Sequence, residues 1–341
     1  MPGFLKKDNK NIHIGLDIGG HSVKAVAISQ IGAKHELLNY SIKPVGDNIV
    51  DSIKDAHAAL GITKIDINTS ISGPAVVVRY IEMPSMSEDE LESATRFEAE
   101  KVIPYNINEV ELDSAKVEDL DGNRMRVIFV AAKKDLIDSQ TKLIFEAGLR
   151  PVVLDIDSFC LMNSFLNTGK DSDGVCALIN IGSRKTNLNI VHGDISYLSR
   201  DIDIGGNEIN RIMAENLSLK PEEIEKIKKE KLSKFLQLSE EEKKDIEGPL
   251  EEMLSRVVDE IRLSFDFYEN HYAGRVDKIY ISGGTSTPEV VSGFLKEAFD
   301  REALRWNPLE NIEISNEVDA DSLSKIQPQL AIAVGLGLRK I

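Results

Sequence analysis

The sequence has few cysteines and no long apolar run. Cys160 and Cys176 are the two cysteines among 341 residues, and both lie in apolar stretches. This pattern indicates reduced core side chains and excludes a fold framed by disulfides. No apolar run approaches the roughly 20 residues of a membrane span. The N-terminal stretch MPGFLKKDNK is a polar tail with no apolar signal core behind it. We therefore expect a cytoplasmic protein.

Basic side chains are in deficit. Lysine and arginine total 41 against 57 aspartates and glutamates, so the formal net charge is −16. A nucleic acid backbone requires a basic surface, which excludes nucleic acid as the main ligand. A local basic site for a nucleotide remains compatible with this composition.

Several common site motifs are also missing. The sequence contains neither G-x-x-x-x-G-K-[ST] nor a complete G-x-G-x-x-G. Its six histidines show no H-E-x-x-H or Cys/His metal spacing, and no G-x-S-x-G elbow supports a serine hydrolase. These absences exclude the P-loop, the dinucleotide fingerprint and the common zinc sites.

Short β-rich runs alternate with helical patterns, which predicts an α/β fold. Strands are expected at 12–18, 22–30, 36–43, 65–71, 75–82, 109–118, 124–131, 151–156, 175–181, 186–191, 195–202 and 277–282. A capping box at Ser87–Glu90 predicts a helix through Lys101. A second helix is expected at 133–147, ended by Gly148.

The longest helical pattern covers residues 250–268. Its apolar residues form one continuous stripe with helical spacing, and Pro249 suits a first turn. The preceding segment, about 218–247, is dense in mixed charge and is typical of a small helical subdomain with solvated faces.

Two segments half a chain apart resemble each other. GLDIGGHSVKAVAI at 15–28 and LINIGSRKTNLNIV at 178–191 each contain a strand, a glycine turn and a second strand. Asp17 aligns with Asn180 and Gly19 with Gly182, at a constant offset of 163 residues. Matched turns at this separation predict a duplicated fold with a cleft between its halves.

The chemistry of these hairpins suits a polyphosphate. A turn of small residues brings backbone N–H groups close to a phosphate, and Lys24 supplies charge. Asp17 at the strand tip is suited to a hydrated Mg²⁺, a hard cation that takes oxygen ligands. The alternative is that each hairpin is only a tight turn with glycine at positive φ.

The motifs together resemble the superfamily of actin, sugar kinases and heat-shock ATPases. GLDIGGHSVK is similar to its first phosphate loop, INIGSRKTN to its second, and KIYISGGTSTP to its adenosine motif. VVLDIDSFCLMNSF and QPQLAIAVGLGLRK resemble its two connecting helices. The resemblance implies an actin/ribonuclease-H-like duplicated fold, with two lobes around a nucleotide cleft and ATP and Mg²⁺ as ligands.

The same resemblance implies the site residues. Asp17 is expected to be catalytic and to hold the metal, and Asp157 falls where relatives place a side chain near the attacking water. Gly205 and Gly206 would open a helix whose N-terminus faces the phosphates. The expected nucleotide-binding residues are Gly19, Gly20, His21, Ser22, Lys24, Asn180, Gly182, Ser183, Arg184, Lys185, Thr186, Gly205, Gly206, Asp259, Arg262, Gly283, Gly284 and Thr285. Asp259 and Arg262 fit equally well as a solvated pair three residues apart.

Within the superfamily, the sequence is most similar to the PilM family, the actin-like proteins of type IV pilus assembly. FEAEKVIPYNINEVELD at 97–113, together with the segments DIDSF, IGGNEIN and EIRLSFDFY, matches the pattern of that family. The resemblance implies an FtsA-like inserted subdomain. It also implies a partner, the short cytoplasmic N-terminal tail of a PilN-like inner-membrane protein, which would recruit this chain to the inner face of that membrane.

The expected contact with the partner tail is the apolar cluster Ile103, Pro104 and Tyr105. Pro104 disfavours helix at Ile103, so the cluster should lie in a loop. The alternative is that this loop packs on its own subdomain. Self-association is left open, and direct insertion into a membrane is not expected because no amphipathic tail follows GLGLRKI.

The resemblance also implies four subdomains. They are a first lobe of 1–75 with 151–172 and 328–341, an insert of 76–150, a second lobe of 173–206 with 274–327, and a helical subdomain of 207–273.

One residue departs from the superfamily pattern. The second phosphate loop usually starts with Asp, and here Asn180 stands in its place. An amide supplies no negative charge to Mg²⁺ and takes no proton from water, so hydrolysis is expected to be slow or absent. On the sequence alone, Asn180→Asp should raise the rate of hydrolysis if the rest of the site is intact.

Two other functions remain as alternatives. One is a sugar or acetate kinase of the same superfamily, which would need a catalytic acid near an acceptor pocket. The other is a filament-forming FtsA-like division protein.

Overall fold

A computed structural model describes residues 12–170, 174–217, 223–224, 240–272, 274–286 and 289–339. The polar N-terminal tail lies outside the described residues, as does most of the charged segment at 218–247. Within the described ranges, no helix has both the length and the apolar character needed to cross a bilayer.

Three sheets organise the described chain. Their strands are β1 Ile12–Ile18, β2 Ser22–Ile31, β3 Lys34–Pro44, β4 Asp66–Ile71, β5 Val76–Pro84, β6 Val110–Leu120, β7 Arg124–Lys133, β8 Arg150–Ile156, β9 Val175–Ile181, β10 Thr186–His192, β11 Ile195–Ile202, β12 Lys278–Ser282, β13 Glu302–Arg305 and β14 Ile312–Ile314. The first sheet has strand order β14-β3-β2-β1-β4-β8, the second β11-β10-β9-β12-β13, and the third β5-β7-β6.

Helices cover these sheets and connect them. They are α1 Ile49–Ala58, α2 Glu88–Val102, α3 Lys134–Glu146, α4 Asp157–Leu166, α5 Gly206–Leu217, α6 Glu240–His271, α7 Glu289–Phe299, α8 Ala320–Ile326 and α9 Ala331–Leu338. Short 3₁₀ segments occur at Ile107–Glu109, Gly284–Ser286 and Gln327–Leu330.

The first two sheets repeat one arrangement. In each, an antiparallel meander (β1-β2-β3 and β9-β10-β11) is joined on its first strand to a parallel strand, β4 or β12. Layers packed on both faces of the sheet explain why β9, with the sequence VCALINI, is buried along its whole length. The repeated topology confirms the duplication inferred from the two matching segments.

Helix α9 sits tightly between the first sheet and α4. A Cβ at Gly335 would lie 1.8 Å from the carbonyl oxygen of Cys160, and one at Gly15 would lie 2.1 Å from that of Ala333. Glycine is therefore required at both positions, because each lets one backbone approach another. This contact fixes the connecting helices against the strand that carries Asp17.

Local signals predicted several elements well. The capping box at Ser87 and Glu90 is present at the start of α2. Gly148, at φ +79°, follows the end of α3. The stripe on α6 is buried in the core of the second lobe, and its residues are Leu250, Met253, Leu254, Val257, Val258, Ile261, Phe265 and Tyr268.

The expected start of the long helix was wrong. Pro249 lies inside α6, which begins at Glu240. Proline suits a first turn because it lacks an N–H group, but this preference does not prevent a helix from continuing in front of it.

The third sheet, with α2, forms the inserted unit. Its first strand also approaches the second lobe, where Tyr80 and Ser196 share a hydrogen bond of 2.6 Å. Helix α3 packs partly on the first lobe, since Ile144 belongs to the core formed by β1 and β2. The expected subdomain boundaries stay a proposal, and this contact favours an insert that ends near residue 133.

Candidate functional site

A cleft of about 1290 Å³ lies between the first and second sheets. Its walls are the β1–β2 and β9–β10 hairpins, the segment after β4, the start of α5, and the turn after β12. The cleft is bounded mainly by strand ends and turns, which present backbone groups and short side chains to its interior.

The two hairpins match in backbone geometry. The N–H of Gly19 donates to the carbonyl of Ser22 over 3.1 Å, and that of Gly182 donates to Lys185 over 2.9 Å. At each strand tip the paired residues also correspond, with Asp17 opposite Lys24 in the first hairpin. Asn180 lies opposite Asn187 in the second. The offset of 163 residues therefore relates equivalent positions in space.

Close packing explains the glycines of these turns. Gly19, Gly20 and Gly182 are not among the glycines at positive φ, so the alternative of ordinary positive-φ turns does not hold. A Cβ at Gly20 would instead lie 2.5 Å from the side chain of Arg184. The first hairpin thus lies against the second, and Arg184 occupies the space between them.

The tip of the first hairpin is charged and that of the second is neutral. Lys24 donates to Asp17 over 2.8 Å, and both side chains are largely buried. In the second hairpin, the amide of Asn180 donates to Asn187 over 3.0 Å and accepts from Ser282 over 3.2 Å. Asn180 is therefore held within its own sheet and is not free to turn toward a ligand.

Asp157 joins the two lobes. It begins α4 and accepts from the hydroxyl of Ser70 over 2.7 Å and from that of Ser72. Lys185 of the second hairpin reaches across the cleft to within 3.3 Å of the same carboxylate and also donates to Ser72. Three donors thus surround Asp157, and one of them comes from the opposite lobe.

The start of α5 supports the second hairpin. The N–H of Gly206 donates to Gly182 over 2.9 Å, and that of Asn207 donates to Ser183 over 2.7 Å. A Cβ at Gly205 would lie 2.7 Å from the carbonyl oxygen of Gly182. These two helix N–H groups hold the loop, so a phosphate would meet the loop and not these amides.

The turn after β12 completes the cleft. Gly283 has φ +96°, and a Cβ there would lie 2.4 Å from the carbonyl oxygen of Ile181. Gly284 and Thr285 line the cleft, and the hydroxyl of Thr285 donates to Gly182 over 3.1 Å. This turn is therefore tied to the second hairpin.

Comparison with known proteins agrees with this geometry. The sequence model of the family described as "Type IV pilus assembly protein PilM" matches residues 15–341, nearly the whole chain. This chain belongs to the PilM family.

Solved structures support the family and the fold. The structure of a "PilM-PilN type IV pilus biogenesis complex" is 25% identical with a TM-score of 0.85, and the match covers 96% of this chain and 98% of that one. The ethanolamine utilization protein EutJ from Carboxydothermus hydrogenoformans is 15% identical with a TM-score of 0.55, covering 96% and 89%. A ROK family glucokinase from Streptomyces griseus is 14% identical with a TM-score of 0.52, covering 96% and 98%. The fold is the two-lobed actin-like fold.

Most of the residues expected from the resemblance to the superfamily line the cleft. They are Asp17, Gly19, Gly20, His21, Ser22, Lys24, Asp157, Asn180, Gly182, Ser183, Arg184, Lys185, Gly206, Gly284 and Thr285. Thr186, Gly205 and Gly283 lie behind this lining and support it. The hydroxyl of Thr186, for example, donates to the carbonyl of Ile204 over 2.8 Å.

Asp259 and Arg262 do not line the cleft. Both are exposed on α6, and Arg262 donates to the carbonyl of Ala298 over 3.2 Å. The apolar stripe of α6 faces the core of the second lobe. Asp259 and Arg262 lie outside that stripe, on the exposed side of the helix.

Sequence reasoning missed several residues of the cleft wall. Ser70 lies near the end of β4, and Ser72 and Gly73 follow that strand, which runs parallel to β1 and β8. Ligand sites commonly form at the carboxyl ends of parallel strands, and that rule was a usable signal for this segment. Trp306 also lines the cleft but lies in no motif recognised in the sequence, and Gln329 lies in the QPQLAIAVGLGLRK segment without having been expected at the site.

The side chains of the cleft limit how a magnesium ion could be bound. Among the described residues, no group of three or more His, Cys, Asp or Glu side chains is placed to hold a metal. Asp17 supplies one carboxylate, and Mg²⁺ is commonly bound through one or two carboxylates together with phosphates and waters. The residues present therefore fit a cation held mainly by a bound nucleotide.

The apolar cluster after α2 is divided between two environments. Ile103 is buried in the core of the insert, as packing on its own subdomain would require, whereas Pro104 is exposed. The hydroxyl of Tyr105 donates to the carbonyl of Pro74 over 2.6 Å, and the ammonium of Lys133 lies 4.2 Å from its ring centroid. Tyr105 thus connects the insert to the segment that lines the cleft.

Proposed function

We propose that this chain is an ATP-binding scaffold of type IV pilus, or related secretion, assembly whose nucleotide controls its conformation. The observation that carries the proposal is the pair of matched hairpins facing each other across one cleft, in a member of the PilM family. Arg184 and Lys185 place two cationic side chains between the lobes, where the charge of a polyphosphate would be balanced.

The roles of individual residues follow from their contacts. Backbone N–H groups of the two hairpins would bind the phosphates, and the turn at Gly284 and Thr285 would meet the nucleoside. Asp17 would hold Mg²⁺, which supplies charge neutralisation between phosphate oxygens. Asp157 already accepts from two hydroxyl groups and forms an ion pair with Lys185, which leaves it poorly suited to take a proton from water. Slow hydrolysis, or none, is the consistent expectation.

The proposed partner is the short N-terminal cytoplasmic tail of a PilN-like inner-membrane protein. The similar structure at 25% identity is that of a PilM–PilN complex, which supports this choice. The exposed Pro104 and the half-buried Tyr105 lie where the insert meets the first lobe, a seam at which an extended tail would be ordered on binding. Recruitment to the inner face of the membrane would follow from that contact.

The nucleotide part of this proposal has a convenient probe. Trp306 is the single tryptophan in the sequence and lines the cleft, so its emission should change when ATP binds. We expect Asp17→Ala to weaken ATP binding chiefly when Mg²⁺ is present, while Asp51→Ala, on the exposed face of α1, leaves it unchanged. Equal losses with and without Mg²⁺ would remove the metal role from Asp17.

The partner part is tested by calorimetry with a synthetic peptide of the partner's first 20 or so residues. We expect binding, and a loss of affinity for Tyr105→Ala, because an aromatic side chain at the seam contributes contact area. No heat on titration, with or without ATP, would remove the scaffold proposal. Unchanged affinity of Tyr105→Ala would move the tail to another surface.

A further inference from the structure

A line of polar side chains crosses the second sheet at the level of the hairpin tip. Asp201 of β11 accepts from the amide of Asn187 of β10 over 2.7 Å, and Asn187 accepts from Asn180 of β9 over 3.0 Å. Ser282 of β12 then donates to Asn180 over 3.2 Å. The four residues are direct neighbours in the strand registers. We refer to Asp201, Asn187, Asn180 and Ser282 as the polar ladder.

The first sheet carries its charge in a different place. There the equivalent tip positions hold Asp17 on β1 and Lys24 on β2, followed by Ile42 on β3. In the second sheet the first two positions are neutral amides, and the carboxylate stands on the third strand at Asp201. At the level of the hairpin tip, the second sheet therefore has its carboxylate on Asp201, two strands away from Asn180.

Asp201 also makes a contact that leaves its own lobe. Its second carboxylate oxygen accepts from the backbone N–H of Gly73, in the segment that joins the first lobe to the insert. Gly73 has φ +101°, so its conformation requires glycine. Burial raises the pKa of Asp201, and the nearby ammonium of Lys185 opposes that shift.

The neighbours of Gly73 connect this contact to the cleft. Ser72 precedes it and is bonded to both Asp157 and Lys185, and Pro74 follows it and accepts from Tyr105. A change in the position of Gly73 would move both of these contacts, because they lie on adjacent residues.

We propose that Asp201 is a positioning residue of the cleft, which holds Gly73 and thereby keeps the two lobes in register beside the phosphate loops. The polar ladder fixes the direction of the Asn187 amide, so that its N–H group faces Asp201 and its carbonyl faces Asn180. The consequence for nucleotide binding rests on the proposed function, whereas the contact between the lobes does not.

This role of Asp201 reverses one expectation for Asn180. A carboxylate at position 180 would face the carbonyl of Asn187 and repel it. Turning the Asn187 amide would relieve that contact but would present a carbonyl to Asp201. Asn180→Asp should therefore weaken the hold on Gly73 and should not restore a working second loop.

The separation of the lobes can be measured directly. Nitroxide labels on cysteines introduced at Lys54 of α1 and Lys296 of α7 report it by pulsed EPR, since both positions are exposed. The native Cys160 and Cys176 are buried and should not react. The label pair is studied in the otherwise unchanged chain, in Asp201→Asn and in Asn180→Asp. The control is Asp194→Asn, in the turn between β10 and β11, at the opposite end of these strands from the cleft.

We expect a broader and longer distance distribution in Asp201→Asn, because an amide has one oxygen and cannot accept from both Gly73 and Asn187 through separate oxygens. We call molecules that keep the contact between Asp201 and Gly73 closed and molecules that lack it open. Loss of one charge-assisted hydrogen bond should lower the closed-to-open ratio roughly ten-fold or more. Asn180→Asp should shift the distribution in the same direction, and Asp194→Asn should match the unchanged chain.

Two outcomes would overturn the proposal. One is a distribution in Asp201→Asn that is identical to that of the unchanged chain. The other is an equal shift in Asp194→Asn, which would show a general effect of charge. In a chain that binds ATP, the affinity of Asp201→Asn should fall about as much as its closed-to-open ratio, and an unchanged affinity would also contradict the role. Failure of the unchanged chain to bind ATP would refute the proposed function alone, since the label distances need no nucleotide.

Discussion

The ion pair at the tip of the first hairpin offers a direct test of how this site is built. Lys24 and Asp17 retain 15% and 9% of their side-chain exposure, so Lys24→Met would leave a largely buried carboxylate without its partner. Removal of one partner from a buried pair typically costs about 3–5 kcal/mol. We expect about 3 kcal/mol here, at the low end of that range, because the pair borders an open cleft.

The matched control is Lys54→Met. Lys54 and Asp51 are 3.7 Å apart with side chains 50% and 64% exposed, and an exposed pair is worth less than about 1 kcal/mol. At about 2–4 °C per kcal/mol for units of 150–250 residues, Lys24→Met should lower the melting temperature by roughly 6–12 °C. The control should lower it by less than about 4 °C.

Thermal unfolding followed by circular dichroism, with and without Mg²⁺, distinguishes the contribution of the ion pair to stability from that of a bound metal. Lys24→Met removes a cation that competes for Asp17, so Mg²⁺ added together with ATP should recover more of the lost stability than ATP alone, by binding the native state. The double variant Asp17→Asn with Lys24→Met should be less destabilised than Lys24→Met and should not respond to Mg²⁺. A melting temperature of Lys24→Met equal to that of the control would refute the reasoning.

Two further predictions concern the support of the site. Gly335→Ala should lower the free energy of unfolding by about 1–3 kcal/mol or more, since its Cβ would meet the Cys160 backbone. Gly293→Ala, with open space around it in α7, should raise that free energy by about 0.5–1 kcal/mol. Chemical denaturation measures both, and similar values for the two variants would contradict the packing argument. Burial raises the pKa of Asp155, so its contribution to stability is complete below the unfolded pKa near 3.8 and is lost as the pH rises through the folded pKa. Asp155→Asn should therefore raise the melting temperature at pH 7, and the difference should shrink as the pH falls; a constant difference across this range would show that the carboxyl group does not titrate as argued.

Local sequence rules determined much of this protein. Alternation and helical spacing predicted most strands and the buried stripe of α6, because side-chain periodicity reflects which face of an element is covered. The capping box at Ser87 and the stop at Gly148 depend on a few adjacent residues. The two hairpins that border the cleft could also be predicted from the sequence, since each is closed by backbone hydrogen bonds within a single turn.

Contacts between distant segments required the tertiary structure. Lys185 meets Asp157 across the cleft, and Asp201 meets Gly73, although no local motif marks either pair. Asn180 appeared in the sequence to be a lost carboxylate, and only the strand registers showed the carboxylate at Asp201, two strands away. A short sequence motif specifies the shape of one turn. The position of that turn against another lobe depends on packing summed over both cores, which no single segment encodes.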